Sequence, residues 1–323
     1  MWGGTRGADG ELAQAMPGVN APVEAPAEMT AGQSIADYEA GAKQEGARAA
    51  EYDIDGVLDR QLAQRELAAK LDVVPANYKG PKRPNQVTQA EFESIARTYS
   101  NIRLGRGDLT IDTGASEDPA QYQRDMMDDI GDLLQTASGR ELVSQLSNNV
   151  TGKDAQGNWT HRKTRLGAHI VNGVPDYTNS YERADENIVG KSTIDDHGAP
   201  GTGSNTQIGI NPNHDVGGSM RSDVALFHEM VHALNSTHGL NEFDHVHLHD
   251  GPGLEHDVAE HTFRYEHQAV GVGKYSNAHL VENAYRRERR QLALGAKGMP
   301  GDLTMPDRTD YQHSAPYAPV FGR

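Results

Sequence analysis

The sequence contains no cysteine among its 323 residues. Disulfide bonds and zinc sites built from thiolates are therefore excluded, and any bound metal must use histidine and carboxylate ligands. No apolar run reaches the length that a transmembrane helix needs, so we expect no membrane span. The first residues lack a basic region followed by an apolar core, which argues against a cleaved general secretory signal.

Basic residues are also scarce. The 30 lysines and arginines are outnumbered by 46 aspartates and glutamates, and the formal net charge is −16. Because the phosphates of nucleic acids would repel a protein of this sign, we expect no nucleic-acid partner. Only 36% of the residues are hydrophobic, whereas glycine and proline are frequent, with 35 and 15 copies. This composition is polar for a compact enzyme and predicts an unfolded portion.

We place the unfolded portion in a flexible leader, residues 1–84. Residues 1–50 are mainly alanine, glycine, glutamate, proline and glutamine, as in disordered segments. Residues 51–72 predict a short helix, whose expected role is packing on the main domain, and residues 75–84 predict a proline-rich basic linker. The leader could carry a non-cleaved secretion signal, bind a secretion chaperone or delivery protein, or be a plain flexible tail.

The remaining residues, 85–323, combine helical and extended patterns, which predicts an α+β domain. The predicted helices contain Phe92, Ile95 and Tyr99, then the residues from Pro119 to a break at Gly139, and then Leu142, Val143 and Leu146. The predicted extended elements are a hairpin of residues 102–111 turned around Gly105–Gly107, a strand Arg165–Val171 and a strand Thr206–Ile210. Residues 172–204 are polar and predicted to form loops.

The most informative stretch is Arg221–Gly239, which contains the motif H-E-x-x-H. The motif residues are His228, Glu229 and His232. Positions i and i+4 of a helix lie on one face, so two imidazole nitrogens could reach one zinc ion, with the glutamate beside it to take a proton from water. Ser222 is the expected N-cap, Gly239 the expected end, and the apolar surroundings predict a buried helix. The alternative is two core histidines satisfied by backbone carbonyls.

Two histidines leave a zinc ion one protein ligand short, and the sequence offers two candidates. His238 would complete a motif like that of the metzincins, although Asn235 stands where glycine is usual. Glu266 lies within residues 257–270, a predicted helix, on an otherwise apolar stripe with Ala259, Phe263 and Val270. A carboxylate there must be paired or metal-bound, so we prefer Glu266 over His238. A salt bridge with a core arginine is the alternative for Glu266.

Two further features flank the motif. The strand Thr206–Ile210 lies just before it, where zincins have an edge strand to which an extended peptide can add. The histidines at positions 245, 247, 249 and 256 alternate as metal ligands sometimes do, but we interpret them as solvated loop residues.

Four segments of the C-terminal half together resemble the NleD/HopH-like family of effector zinc metalloproteases. They are FHEMVHALNSTHG, EHQAVGVG, ENAYRRERR and RTDY, within residues 205–311. Such effectors are injected by type III secretion systems, related domains occur in Rhs-type toxins, and the site is similar to that of botulinum-type light chains. The resemblance implies a zincin-like metalloprotease domain over residues 85–323, secretion, and action in the cytoplasm of a target cell.

The resemblance also implies roles for individual residues. Glu266 matches the downstream glutamate of a gluzincin site, although the family often has a second acid where this chain has His267. Arg308 and Tyr311 match an arginine and a tyrosine that face the zinc and stabilise the charged intermediate. The residues with implied supporting or structural roles are Glu282, Asn283 and Arg286.

We therefore predict a secreted effector or toxin that acts as a zinc metalloendopeptidase on a protein in a target cell. One zinc ion is held by His228, His232 and Glu266. Glu229 is the general base, and Arg308 and Tyr311 stabilise the developing negative charge. The alternative is a non-catalytic interaction module with a structural or degenerate zinc site.

Overall fold

The computed structural model describes residues 54–153, 159–186, 190–195, 197–212, 221–242, 245–247, 261–295 and 307–308. Their α-helices are α1 (Ile54–Ala68), α2 (Gln89–Arg103), α3 (Pro119–Leu133), α4 (Ala137–Ser147), α5 (Ser222–His238), α6 (Arg264–Val270) and α7 (Glu282–Gly295). Their strands are β1 (Asp72–Val74), β2 (Gln86–Thr88), β3 (Leu109–Asp112), β4 (Val150–Lys153), β5 (Trp159–His161), β6 (Thr164–Gly167), β7 (Ile170–Val171), β8 (Val174–Pro175), β9 (Tyr181–Ala184), β10 (Thr206–Gly209), β11 (His245–His247) and β12 (His261–Phe263). This mixture confirms the predicted α+β class. The segment 1–50, for which we predict disorder, lies outside the described residues.

The main sheet of the described residues has the strand order β3–β6–β10–β9. Strands β3, β6 and β10 run parallel, and β9 runs antiparallel to β10, with Ile208 opposite Glu182. The inward side chains Leu109, Leu166 and Ile208 are fully buried and belong to the hydrophobic core. The sheet therefore forms one layer of the core, against which the helices pack.

The edge of this sheet differs from the prediction. Strand β10 is hydrogen-bonded on both sides, so Thr206–Gly209 is an interior strand. In the described part of the chain, the edge next to β10 is β9, which we predicted to be loop. Its sequence, Tyr-Glu-Arg-Ala, carries two charged residues and no apolar alternation, so pairing with β10 decides its conformation.

The predicted hairpin of residues 102–111 is wrong. Helix α2 continues to Arg103 because Phe92, Ala96, Tyr99 and Ile102 form one buried stripe at helical spacing. Only the second half is extended, as β3, and it pairs in parallel with β6 rather than with residues 102–104. The turn between α2 and β3 uses Gly105 and Gly107, which have φ values of 66° and 100°.

Helices α3 and α4 lie near their predicted places, but the break between them is not at Gly139. Helix α4 begins at Ala137 because the Thr136 hydroxyl caps it, accepting a hydrogen bond from the Gly139 amide at 3.0 Å. Gly139 lies in the first turn, where a Cβ atom would come within 2.0 Å of the Leu133 carbonyl oxygen. The predicted strand Arg165–Val171 is likewise divided into β6 and β7, and β7 turns into β8 through Asn172 and Gly173.

The described end of the leader packs on helix α2. Ala63 and Leu67 of α1 are fully buried, and Arg103 of α2 forms ion pairs with Asp59 and Glu66 of α1. Strand β1, before the predicted linker, pairs in parallel with β2 after it. The division of the chain at residue 84 stays a prediction.

Helix α5 lies in the middle of the core. It packs against β9 and β10 on one side and against α3, α4, α6 and α7 on the others. This explains why the segment is apolar nearly all round. Gly239 ends the helix in the left-handed conformation, as predicted, with φ 68°. No helix of the described residues is long and apolar enough to cross a membrane.

The start of helix α5 is held by charged side chains rather than by the predicted cap. Arg221 occupies the N-cap position, and the Ser222 hydroxyl instead donates to Asp129 at 2.7 Å. Asp223, 1% exposed, accepts from the Tyr285 hydroxyl at 2.6 Å and pairs with Arg221 and Arg289 at 2.9 and 3.3 Å. These contacts fix the helix relative to α7.

Candidate metal centre

His228 and His232 lie one turn apart on α5 and face the same point. Their Nε2 atoms are 3.0 Å apart, and the two rings meet edge to face. Both residues are buried, with exposed fractions of 5% and 3%. The helical period therefore brings the two imidazoles of H-E-x-x-H together as the motif predicts.

Glu266 comes to this point from a different helix. Its Oε2 atom lies 3.2 Å from each Nε2 atom, and the residue is buried at 8% exposed. Helix α6 is shorter than the helix predicted for residues 257–270, because residues 261–263 form β12 and α6 begins only at Arg264. Glu266 is consequently in the first turn of α6.

The competing candidate His238 lies apart from this group. Its Nδ1 atom faces the carbonyl oxygen of Leu234 at 3.0 Å, within its own helix. Among the described residues, the group of three side chains able to hold a metal ion is His228, His232 and Glu266, with all ligand atoms within 4.8 Å of one another. The structure thus brings together Glu266, not His238, with the two motif histidines.

The geometry of these three atoms fits a small cation. Ligands about 2.0–2.1 Å from a tetrahedral zinc lie about 3.4 Å from one another, close to the observed 3.0, 3.2 and 3.2 Å. Two imidazole nitrogens this close repel through their lone pairs unless a proton or a cation lies between them. The group could therefore hold a metal ion that accepts nitrogen and oxygen ligands.

A buried ionic network supports His228 from behind. Glu282, fully buried at the start of α7, accepts from the Nδ1 atom of His228 at 2.9 Å. The same carboxylate accepts from Arg286 Nε at 2.6 Å and from Arg308 Nη1 at 3.1 Å. A carboxylate on Nδ1 fixes the tautomer of His228 and directs its Nε2 atom towards Glu266 and His232, as in many metal sites.

The pKa values of the histidine and the two glutamates in this network are shifted by the charges next to them. Burial opposes a charged His228, but hydrogen bonds with Glu266 and Glu282 outweigh it and raise the pKa of His228 to about 10. Burial likewise opposes the Glu282 carboxylate, yet Arg286 and Arg308 hold the pKa of Glu282 well below its ordinary value. The pKa of Glu266 is lowered because His232 and His228 outweigh its burial. Both carboxylates are thus anionic.

Arg308 belongs to this network in the described structure. Besides its contact with Glu282, its backbone is held by Asn283, whose side chain donates to the Arg308 carbonyl at 2.8 Å and accepts from its amide at 2.7 Å. Two of the three residues given supporting roles by the resemblance, Glu282 and Asn283, therefore contact Arg308 directly. Tyr311, its predicted partner, lies outside the described residues, so the role of the pair stays a prediction.

Glu229 directly follows His228 on helix α5. It is buried, at 6% exposed, and the Ser180 hydroxyl donates to its Oε1 atom at 2.8 Å. Ser180 lies just before the edge strand β9. The predicted general base is therefore anchored to the edge of the main sheet.

Tyr265 was missed by the sequence analysis. Its ring contacts the His232 ring edge to face at 5.1 Å, and its hydroxyl is hydrogen-bonded with Glu266. Burial and the neighbouring carboxylates raise its pKa, so the phenol stays protonated. Its position directly before Glu266 could have indicated its place in the site. Ser180 lies in a polar segment, and nothing in the sequence around it indicated a contact with Glu229.

Four further histidines follow the motif helix, at positions 245, 247, 249 and 256. Residues 245–247 form β11, paired antiparallel with β12, and their backbone alone is described. His249 and His256 lie outside the described residues. Their interpretation as solvated stays a prediction.

The fold and the site together define a class of protein. An α+β core carries a buried His-His-Glu group, with both histidines on an H-E-x-x-H helix and the glutamate on a second helix, the arrangement of a candidate metallopeptidase centre.

Comparison with known proteins gives the family. Residues 110–311 match the family model of peptidase M91, which is described as effector protein, so the chain belongs to that family. This confirms the predicted relationship to effector proteases of the NleD/HopH type. The chain matches no curated protein.

Proposed function

We propose that this protein is a secreted effector that acts as a zinc metalloendopeptidase on a protein inside a target cell. The observation that carries the proposal is the convergence of His228, His232 and Glu266, with the buried Glu229 directly after His228 in the motif. Membership of the effector peptidase family supports the reaction class and secretion into a host.

Zinc is the proposed metal because the site offers two imidazoles, one carboxylate and no thiolate, a ligand set of catalytic zinc sites. The proposed holders are His228 and His232 through Nε2 and Glu266 through Oε2. When bound, zinc supplies Lewis-acid polarisation of a carbonyl oxygen and acidifies water.

The chain's own residues divide the remaining work. Glu229 takes a proton from the attacking water and then delivers it to the leaving amine. Ser180 donates to the Oε1 atom of Glu229, and Oε2 is the oxygen proposed to receive this proton. Glu282 keeps His228 in the tautomer whose Nε2 faces the metal.

Arg308 and Tyr311 are proposed to stabilise the negative charge that develops on the substrate carbonyl oxygen. The contact of Arg308 with Glu282 supports a second task for Arg308, which is to keep that carboxylate in place behind His228. The peptide substrate is proposed to lie along β9, because an edge strand can pair with an extended peptide.

The proposed route to the substrate is secretion, with residues 1–84 as leader and a chaperone or delivery protein as its partner. Family membership supports secretion. The site of action is then the cytoplasm of the target cell.

The test is identification of new protein N-termini in a cell lysate treated with the zinc-loaded protein or with Glu229→Gln. We expect the wild type to generate new N-termini and the variant to lose activity by about 10²–10⁴-fold. Metal content measured on the same samples should be equal, because Glu229 is not a ligand.

Two results would contradict the proposal. Equal cleavage by Glu229→Gln would remove Glu229 as the base. Zinc binding without cleavage of any protein in several lysates would instead favour a non-catalytic module.

A further inference from the structure

Alternate residues of the edge strand face the metal centre. Side chains two apart on a strand point to the same side. Ser180, just before β9, donates to Glu229, and Glu182, two residues on, is hydrogen-bonded with Ser236 and interacts electrostatically with His232. Glu229, His232 and Ser236 are themselves on one face of α5, at positions i, i+3 and i+7. One side of β9 therefore meets the ligand-bearing side of α5.

The Glu182 carboxylate is only partly satisfied. It is hydrogen-bonded with the Ser236 hydroxyl, which itself accepts from Asn241 Nδ2 at 2.7 Å. Its Oε1 atom is buried and has no hydrogen-bond partner among the described residues. Burial, together with the nearby Glu229 and Glu266, raises the pKa of Glu182 to about 7, although His232 acts in the opposite direction.

One ring nitrogen of His232 also lacks a hydrogen-bond partner among the described residues. Its Nε2 atom faces Glu266 and His228, whereas its Nδ1 atom is buried and lacks a partner in the described part of the chain. When Nε2 binds a metal, Nδ1 carries the proton and becomes a donor. His228 already has a carboxylate on that atom, namely Glu282 at 2.9 Å.

We infer that Glu182 is a positioning residue of the metal centre, which accepts the Nδ1–H of His232 and thereby directs its Nε2 atom to the metal. The inference rests on the metal site proposed above. Each histidine ligand then has its own carboxylate, Glu282 for His228 and Glu182 for His232. Ligating histidines commonly have such a partner on the second nitrogen.

A merely structural role for Glu182 explains the site less well. A buried carboxylate with an unused oxygen destabilises a fold, and a leucine of similar size would fill the space without that cost. The two nearby carboxylates add repulsion. A bound cation and a donated Nδ1–H would offset both effects.

The experiment measures zinc affinity by competition with a chromogenic chelator, using the full chain. The variants are Glu182→Gln, which keeps the shape, and Glu182→Leu, which removes the acceptor. The matched control is Glu186→Gln, the same change four residues on at an exposed position. Urea unfolding of the metal-free proteins is measured in parallel.

We expect Glu182→Leu to weaken zinc binding by about 10–100-fold and Glu182→Gln by less, because the amide oxygen can still accept. The control should match the wild type. Metal-free Glu182→Leu should be at least as stable as the wild type. General damage to the fold would not weaken zinc binding while leaving the stability undiminished.

The outcomes separate the inference from the proposed function. If the wild type binds zinc and the zinc affinity of Glu182→Leu is within twofold of it, the inference is overturned and the proposed function is not. Wild type that does not bind zinc overturns the proposed function and the inference with it. If the leucine variant does not fold, Glu182→Ala, which also removes the acceptor, decides instead, and affinity equal to wild type then overturns the inference.

Discussion

The fully buried Glu282 offers the sharpest test of the network behind His228. Its carboxylate accepts hydrogen bonds from His228, Arg286 and Arg308 at 2.9, 2.6 and 3.1 Å. Glu282→Gln keeps the shape but removes the negative charge, so that two buried guanidinium groups face a neutral amide. One amide oxygen cannot accept from all three donors, and its NH₂ group opposes them.

The expected loss of stability in Glu282→Gln follows from the burial of the two arginines that contact the carboxylate. Arg286 and Arg308 are 2% and 8% exposed, so water cannot replace the lost carboxylate. Breaking a buried ion pair by removing one partner costs about 3–5 kcal/mol. A domain of ordinary stability has about 5–15 kcal/mol in total, so the variant should lose at least about a fifth of its free energy of unfolding.

The assay is urea unfolding of the metal-free proteins in the presence of chelator, with the free energy of unfolding extrapolated to water. The control is Glu93→Gln on the exposed face of α2, which should change the free energy by less than about 0.5 kcal/mol. A loss below about 1 kcal/mol in Glu282→Gln would refute the view that this carboxylate neutralises the two arginines.

The pH dependence gives an independent check on the same variant. The pKa of Glu282 is lowered in the folded protein from an ordinary value of 4.5. Its contribution to stability is therefore complete above about pH 4.5 and is lost as the pH falls towards the folded pKa. The difference between wild type and Glu282→Gln should be largest at pH 7 and shrink at pH 3. A constant difference would contradict this assignment.

Two further predictions concern the third ligand and the end of α5. Glu266→Ala should strongly reduce the zinc content after dialysis while His238→Ala leaves it unchanged, and the reverse pattern would favour the metzincin arrangement. Gly239→Ala should destabilise the protein by well over 1 kcal/mol in urea unfolding, because its Cβ would lie 2.5 Å from the backbone of Gly201 in addition to the strain of φ 68°. The control is Gly105→Ala, which has the same backbone strain, with φ 66°, but nothing within 4 Å of the added Cβ atom. Equal losses of unfolding free energy in the two variants would show that the close contact at Gly239 is unimportant.

The parts of the site that depend on local spacing could be predicted from the sequence. His228 and His232 are brought together by one helical turn, and the all-round apolar pattern of α5 reflects its central position. Glu266 was found as a carboxylate among apolar residues. The predicted helix around it was too long because a pattern of spacing alone does not exclude the strand β12.

Contacts between distant segments could not be predicted from periodicity. Glu282 is 54 residues from His228, and only the resemblance indicated a supporting role for it. Ser180 and Glu182 lie in a polar segment that becomes a strand by pairing with β10. The false hairpin has the same origin, since residues 109–112 find their partner in β6, more than 50 residues away.

The alternation of side chains along β9 limits how this segment can vary in length. Deleting or inserting one residue within the strand would exchange its two faces. Ser180 and Glu182 would turn away from α5, and the exposed Arg183 would turn towards it, bringing a cation to the helix that carries His228 and His232. Relatives of this protein should therefore accept indels in the loops on either side of the strand, but only substitutions inside it.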